Sequence, residues 1–370
     1  MSMDWEQVRE LVNAHLDQQS PALHKINQAL HSNPELGYKE FFAHDIVSDF
    51  LEKQGFAVHR KTYGLETSFE VTFGSGGRLV IVCAEYDALP NMGHACGHNL
   101  IATSSIGAFL GAAHAMKTLG INGRLRILGT PAEEGGGGKA RLIKAGAFSP
   151  SEDIAASIMA HPITRHGIGG IAGISALDLI ASLKFRVEFK GKSAHAAGEP
   201  WNGTNALDAA VGAYNNVSML RQQMRPDERV HGVFEVGGTV PNVIPDYTRM
   251  NCADTYKHVI SNLGLCETYA QDMAKIGEQV SIKAPEPFTA STDMGNVSHE
   301  VPGFHGAFAI PTEPDAALHS PKFAAAAGKP EAHECAVKSA KGMAMLALRV
   351  IVDDELAARV RRDFEEGNTA

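Results

Sequence analysis

The run Arg78–Ala84, RLVIVCA, constrains the fold of this chain more than any other stretch. Its aliphatic and β-branched residues follow one another with no polar alternation. That is the pattern of a strand buried on both faces, as in sheets covered by helices on either side. Directly after it come Glu85 and Asp87, then a Pro-Asn-Met-Gly turn at 90–93, then His94, Cys96 and His98. An Ala- and Gly-rich helix is expected from about Asn99 to Leu119, with Asn99 as its N-cap. Strand, loop and helix in that order put the loop at the carboxyl end of the sheet, where open α/β folds place their chemistry. Carboxylate, thiol and imidazole groups gathered there point to a metal site.

The same arrangement recurs twice. Arg124–Gly129 (RLRILG) reads as a second strand, followed by Thr130-Pro131-Ala132-Glu133-Glu134, a glycine run at 135–138 and a helix, LIKAGAF. Ser157–Ala160 reads as a third strand, ending at His161-Pro162. Strands alternating with helices imply an α/β fold with a mostly parallel sheet. All three strands deliver metal-competent residues at their C-terminal ends.

Elsewhere, residues 3–55 carry helical periodicity in two segments separated by the turn-rich HSNPELGY (31–38), and 56–74 alternate as strands. From about Ile180 the pattern changes. LIASLKFRVEFKG alternates like a strand with one exposed face, Asn205–Arg221 is an amphipathic helix, and 230–238 and Asp246–Cys252 read as strands. This β-α-β-β order describes a small α+β domain. Ser261–Gln279 is expected to be helical, 284–321 a glycine-, proline- and serine-rich loop region, and Glu331–Val352 a long helix.

Charge and cysteine content narrow the function classes. A net charge of −9 without any dense basic run argues against nucleic acid or an anionic membrane as partner. No apolar run approaches membrane-spanning length, and the acidic, amphipathic start is no signal peptide. Five scattered cysteines are not a disulfide framework, so a reducing, cytoplasmic setting is expected.

Taken singly, the candidate ligands are ambiguous. A Cys-x-His pair is common in cores, adjacent glutamates are often a solvated helix start favoured by the helix dipole, and His161 before Pro162 reads as a surface turn. His319, in ALHSP, has no local support. Together, the nitrogen, sulfur and oxygen donors suit Zn2+, Mn2+ or Co2+.

In order along the chain stand EYDALP, GHACGHN, TPAEEGGGG, MAHP, GKSAHAAGEPWNGTNALDA, GGTVPNVIPD, STDMGNVSHEVP and LHSPKFAAAAG. By these motifs the chain resembles the aminoacylase/carboxypeptidase family of dinuclear metallopeptidases, in its amidohydrolase branch of indoleacetyl-amino-acid and aminobenzoyl-glutamate hydrolases. GHACGHN and STDMGNVS look most like the subgroup containing a β-alanyl-lysine-type dipeptidase. The resemblance implies hydrolysis of an amide bond in a dipeptide or N-acyl amino acid by a metal-activated water. It implies two divalent cations, Zn2+ foremost with Mn2+ or Co2+ as alternatives, held by Cys96, His98, Glu134, His161 and His319, with the thiolate bridging. Glu133 takes the general-base role and Asp87 orients His98. His195 corresponds to the histidine that polarises the scissile carbonyl in the neighbouring subunit's site, and Asn242 to a substrate contact. The fold implied is a phosphorylase/hydrolase-like catalytic domain, residues 1–179 and 253–370, interrupted by a lid at 180–252 through which a homodimer forms.

Three departures stand out against that pattern. Position 99 is Asn where much of the branch has Asp, position 85 is Glu rather than Asp, and the lid is shortened to roughly β-α-β-β. A sheet missing a strand leaves an exposed edge and face. The alternatives are a non-catalytic member that binds peptide-like ligands, and a cysteine-nucleophile hydrolase in which Cys96 attacks and His98 is the base. The second leaves Glu134, His161 and His319 without a role.

Overall fold

The aliphatic run at 79–84 lies inside an eight-stranded sheet. In chain order the strands are β1 (His59–Arg60), β2 (Phe69–Ser75), β3 (Leu79–Ala84), β4 (Gly123–Gly129), β5 (Ile154–Thr164) and β6 (Gly173–Ile174). β7 (Val187–Lys190), β8 (Val233–Val236) and β9 (Tyr247–Asn251) form a separate sheet, and β10 (Val280–Ser281) and β11 (Gly303–Ile310) rejoin the large one. These come from a computed structural model that describes residues 3–183, 185–225, 228–251, 255–284 and 290–367.

The large sheet has the order β1-β2-β4-β3-β5-β11-β6-β10. β3 pairs in parallel with β4 and β5, and β5 in parallel with β11, while β2 runs antiparallel beside β4. Every residue of β3 is buried, and the pleat sends them alternately to two cores. Val80, Val82 and Ala84 join a large cluster with three helices: α1 (Trp5–Ser32), α3 (His98–Leu119) and the helix Pro330–Val352. Between α1 and α3 in sequence lies α2 (Phe41–Lys53). Leu79, Ile81 and Cys83 join a second cluster with Leu142, Phe148, Met159, Met294 and Val297. Burying Val80, Ile81 and Val82 contributes about 1.5–3 kcal/mol each before backbone entropy is subtracted.

Helix α3 is buried almost throughout, as an apolar helix with small residues on all sides should be. A Cβ on Gly107 would stand 2.8 Å from that of Ala340, so glycine there allows the close approach of Pro330–Val352. This helix carries His98 at its first turn and thereby anchors one side of the site.

The chain divides into two compact units, residues 1–181 with 256–370, and residues 182–255. The expected boundary at 252/253 falls among residues outside those described. The smaller unit is the three-stranded antiparallel sheet β7-β9-β8 with the helix Ala206–Met219. Among its described residues only Ala206, Ala210 and Thr248 are buried.

Several local expectations are corrected. Asn99 is not the N-cap of α3: Gly97 holds that place, and Asn99 turns inward to donate to Asn27 Oδ1 and the Ala327 carbonyl. The third strand is longer than Ser157–Ala160, so His161 and Pro162 lie within β5 rather than in a turn after it. The helix expected at LIKAGAF is Gly138–Lys144. Of the alternating segment after Ile180, only Val187–Lys190 is strand. The largest difference is at 284–321, where a loop region was expected. It contains β11, all eight residues of which are buried between β5 and β6.

Candidate metal centre and hydrolytic site

Beyond Ala84 the chain leaves β3 with Glu85 and Asp87 both buried. Asp87 Oδ1 lies 2.9 Å from Nδ1 of His98, and Oδ2 accepts the backbone N–H of Glu134 at 2.9 Å. With Nδ1 donating to a carboxylate, His98 presents Nε2 as the free ligand atom. Between Cys96 and His98 stands Gly97 at φ 80°, where a Cβ would meet Pro162 Cγ at 2.6 Å. Only glycine makes that turn.

Cys96 Sγ is 3.3 Å from Nε2 of His161 and 3.3 Å from Nε2 of His319. His161 reaches it from β5, with Nδ1 against the Pro162 carbonyl at 2.7 Å and Nε2 facing the thiol. His319 is set by a left-handed backbone at φ 59°, and its N–H donates to the Ala95 carbonyl at 2.9 Å. Glu134 Oε1 lies 3.4 Å from His319 Nε2 and 3.9 Å from His98 Nε2. The result is three triplets, each with its ligand atoms within 4.8 Å of one another: Cys96/His98/His161, Cys96/Glu134/His319 and His98/Glu133/Glu134. The first two share Cys96. All five expected ligands are thus brought together in the larger unit.

The residues fit a pair of cations. Nε2 of His98 and Oε1 of Glu134 are buried without a hydrogen bond, and a buried polar atom left that way is costly unless something coordinates it. Thiolate, imidazole and carboxylate together are a donor set for Zn2+ and its neighbours.

The surrounding charges differentiate the two glutamates. Burial would raise Glu134, but His319 and His98 outweigh it and hold its carboxyl at about 2. Glu133, its neighbour in sequence, goes the other way: burial first, then Glu85 and Glu134, push its carboxyl well above the usual range. His161 is pulled to about 4 by burial and by His98. Burial opposes protonation of His98, yet Asp87 and Cys96 raise it overall. The Cys96 thiol is raised by burial and then by Glu134, the opposite of what a thiolate nucleophile needs.

Glu133 Oε2 lies 4.0 Å from His98 Nε2, and Glu133 also belongs to a buried acid group with Glu85 and Asp293. Lys139 meets that group. Its ammonium pairs with Glu85 Oε1 and, at 2.6 Å, with Asp293 Oδ1, while its backbone N–H donates to Asp293 Oδ2 at 2.8 Å. Sequence reasoning left Glu85 unassigned and gave no role to Lys139 or Asp293. Glu40 was also missed: it accepts the Ala132 N–H at 2.8 Å and the Thr67 hydroxyl at 2.7 Å, fastening the loop that carries both glutamates. Nothing local distinguishes these residues, because their partners are far away in the chain. His94 is structural, buried with Nε2 at 3.0 Å from the Leu30 carbonyl.

His195 and Asn242 lie in the smaller unit, on two loops joined by backbone bonds. Ala196 N–H donates to the Asn242 carbonyl at 3.0 Å, and His195 bridges Val243. His195 Nδ1 accepts the N–H groups of Ala197 and Gly198 at 3.2 and 3.0 Å, so the ring proton sits on Nε2, the exposed donor.

Residues 81–342 match the family described as Peptidase family M20/M25/M40. The chain is 37% identical over 404 residues to the Xaa-Arg dipeptidase of Mus musculus, covering 95% of this chain and 90% of that protein. It is 30% identical over 230 residues to a p-aminobenzoyl-glutamate hydrolase chain of Escherichia coli (strain K12), covering 57% of this chain and 46% of that one. Among solved structures, a Bacillus subtilis protein described as a dinuclear metal binding peptidase from the M20 family shares the fold, with a TM-score of 0.62 at 19% identity over 90% of this chain and 99% of that one.

Proposed function

The chain belongs to the peptidase family M20/M25/M40, and we propose that within it this is a dipeptidase for substrates with a basic C-terminal residue. It is a metal-dependent amidohydrolase of dipeptides or N-acyl amino acids. The finer choice is favoured by the 37% identity to the mouse Xaa-Arg dipeptidase over 95% of the chain. One observation carries the chemical reading: two ligand triplets share Cys96, and a buried carboxylate, Glu133, stands beside them outside both.

Cys96, His98 and His161 would hold one cation and Cys96, Glu134 and His319 the other, and we assign Zn2+ as the resident metal, with Mn2+ or Co2+ as substitutes. Bound there, the cations supply Lewis acidity, which acidifies water and polarises the amide carbonyl. Glu133 accepts the proton of the attacking water as its oxygen bonds to the carbonyl carbon. The same carboxyl then passes that proton to the departing amine nitrogen as the C–N bond breaks. Burial, then Glu85 and Glu134, raise the Glu133 carboxyl, which favours the proton it carries between these two steps. His195, with its proton on Nε2, is assigned to the scissile carbonyl oxygen in the neighbouring subunit's site. Asn242, on the adjoining loop, is assigned to substrate.

The smaller unit we read as a shortened lid and dimer contact. The alignment with the mouse protein runs over 404 positions, more than the 370 residues of the chain, so it includes positions this chain lacks. Phe185, Tyr214, Met219, Leu220 and Val230 are exposed in a unit with three buried residues among those described, a surface suited to a second copy of itself. Cys83, Cys96, Cys266 and Cys335 are free thiols, in keeping with a cytoplasmic setting. No described helix is long and apolar enough to cross a membrane.

The test is a hydrolysis screen on chelator-treated protein and on protein reloaded with Zn2+, Mn2+ or Co2+. Dipeptides ending in Arg or Lys should be cleaved fastest, ahead of aminobenzoyl-glutamate and N-acetyl amino acids, and only after reloading. Full turnover in metal-free protein would remove the metal-dependent reading, and a preference for acidic or apolar C-terminal residues would remove the basic specificity.

A further inference from the structure

The loop that bears Glu133 and Glu134 is not regular. Ala132 stands at φ 59°, Glu134 at φ −67° and ψ 68°, Gly135 at φ 86° and Gly137 at φ 62°. A left-handed alanine and a broken turn cost free energy and persist only where surrounding groups hold them. The carbonyl of Glu133 and the N–H groups of Gly135 and Gly137 converge on one place.

Tyr256 fills that space. Its hydroxyl donates to the Glu133 carbonyl at 2.5 Å and accepts from the N–H of Gly135 at 3.0 Å and of Gly137 at 3.3 Å. One bond donated and two accepted is the full capacity of a phenol. The residue is buried, with 2% of its surface exposed. Other groups hold the rest of the loop: Glu40 at the Ala132 N–H, Asp87 at the Glu134 N–H, Tyr38 at the Gly136 carbonyl and Asp293 at the Lys139 N–H. Among the described side chains, Tyr256 is the one that bonds the carbonyl of Glu133 itself.

We propose that Tyr256 is a positioning residue for Glu133, its hydroxyl locking the turn from which that carboxylate reaches the attacking water; this rests on the reading of Glu133 as general base. Tyr256 is also the residue at which the chain re-enters the larger unit after the inserted segment. The chain therefore places this clamp more than a hundred residues from the loop it holds.

The experiment compares Tyr256→Phe, Glu133→Gln and the double variant in metal-loaded protein, with kcat, KM, metal content and melting temperature measured on each. Tyr256→Phe keeps the ring and removes only the hydroxyl. We expect kcat to fall about 10- to 100-fold with KM within about twofold, since a displaced catalytic group costs rate rather than affinity. Metal content should stay at the wild-type level. Added to Glu133→Gln, the Phe substitution should lower the residual rate no further, because the group it positions is already disabled. A lowered melting temperature with unchanged kcat would make Tyr256 a structural residue and overturn the proposal. So would an equal loss of rate with and without Glu133. Should Glu133→Gln itself leave turnover intact, the base assignment fails first, a result separable from normal turnover in Tyr256→Phe beside a dead Glu133→Gln. If Tyr256→Phe does not fold, Tyr256→Met fills much of the space with no hydroxyl, and wild-type kcat there also overturns the proposal.

Discussion

Asp87 and His98 stand 2.9 Å apart, carboxylate to Nδ1, and both are buried. The bond fixes the tautomer that leaves Nε2 free, and the other oxygen of the same carboxylate holds the backbone of Glu134. One side chain thus aligns a ligand from each of the two triplets that share Cys96. In Asp87→Asn the amide can satisfy only one of these two donors and turns its own N–H₂ toward the other. Metal affinity should fall about 10- to 100-fold, the usual effect of losing such a partner. Competition with a chelating dye would measure it; wild-type affinity would show that Asp87 does not orient the ligands.

Cys96 is common to these two triplets, so its loss should be felt by both cations. Cys96→Ala is expected to hold fewer than two ions per chain where the wild type holds two, and to lose turnover with them. His319→Ala touches one triplet only and should retain the other ion. Elemental analysis after gel filtration decides between them. Equal stoichiometry in the two variants would rule out a bridging role for the thiol.

Much of this site could be read before the fold was known, because β3 and β4 announce themselves by composition and end in the residues that matter. β5 was visible only in part: Pro162 reads as a terminator, yet the strand continues through it. β11 was not visible at all. Gly303, His305 and Gly306 interrupt its apolar pattern, and the Pro- and Ser-rich flanks match a loop, so burial between two strands is decided by long-range pairing alone. His319 was legible by family resemblance and not by local chemistry, since a positive φ in a turn is what aims it at Cys96. A lysine after four glycines looks solvated. Only the folded chain shows Lys139 sealed against two acids.

Acid should weaken the packing of α1 on the helix Pro330–Val352. His333 lies edge-on to His24 at 4.7 Å between ring centroids, with Nε2 at 3.2 Å from the Ser20 carbonyl, and burial followed by His24 pulls its imidazole to about 4. With the folded value below the unfolded one, the unfolded chain takes up the proton first as pH falls. The stability present above pH 6.5 is therefore lost between 6.5 and about 4. His333→Gln keeps a donor to Ser20 and does not titrate. Wild type should lose about 2 kcal/mol relative to it across that window, after allowance for solvent screening. Urea midpoints of metal-free protein at several pH values measure the difference, and parallel curves would clear His333 of any role.

Lys139 is paired with two members, Glu85 and Asp293, of the buried acid group that also includes Glu133. Its pairing with Glu85 and Asp293 ties the end of β3, the start of the helix Gly138–Lys144 and the N-cap of the helix Met294–Ser298 into one buried cluster. Lys139→Met fills nearly the same volume with no charge, so packing is preserved while two carboxylates lose their counter-ion. Removing one partner of a buried pair costs about 3–5 kcal/mol, most of it the penalty on the charge left behind. The decisive comparison is with Glu85→Gln added to Lys139→Met. If the stranded charge is the cause, neutralising it should restore part of the stability, although Glu85→Gln alone destabilises. Urea unfolding of the single and double variants gives the coupling directly. A Lys139→Met protein as stable as wild type, or a double variant weaker than either single one, would mean that the cluster is held by packing and not by charge.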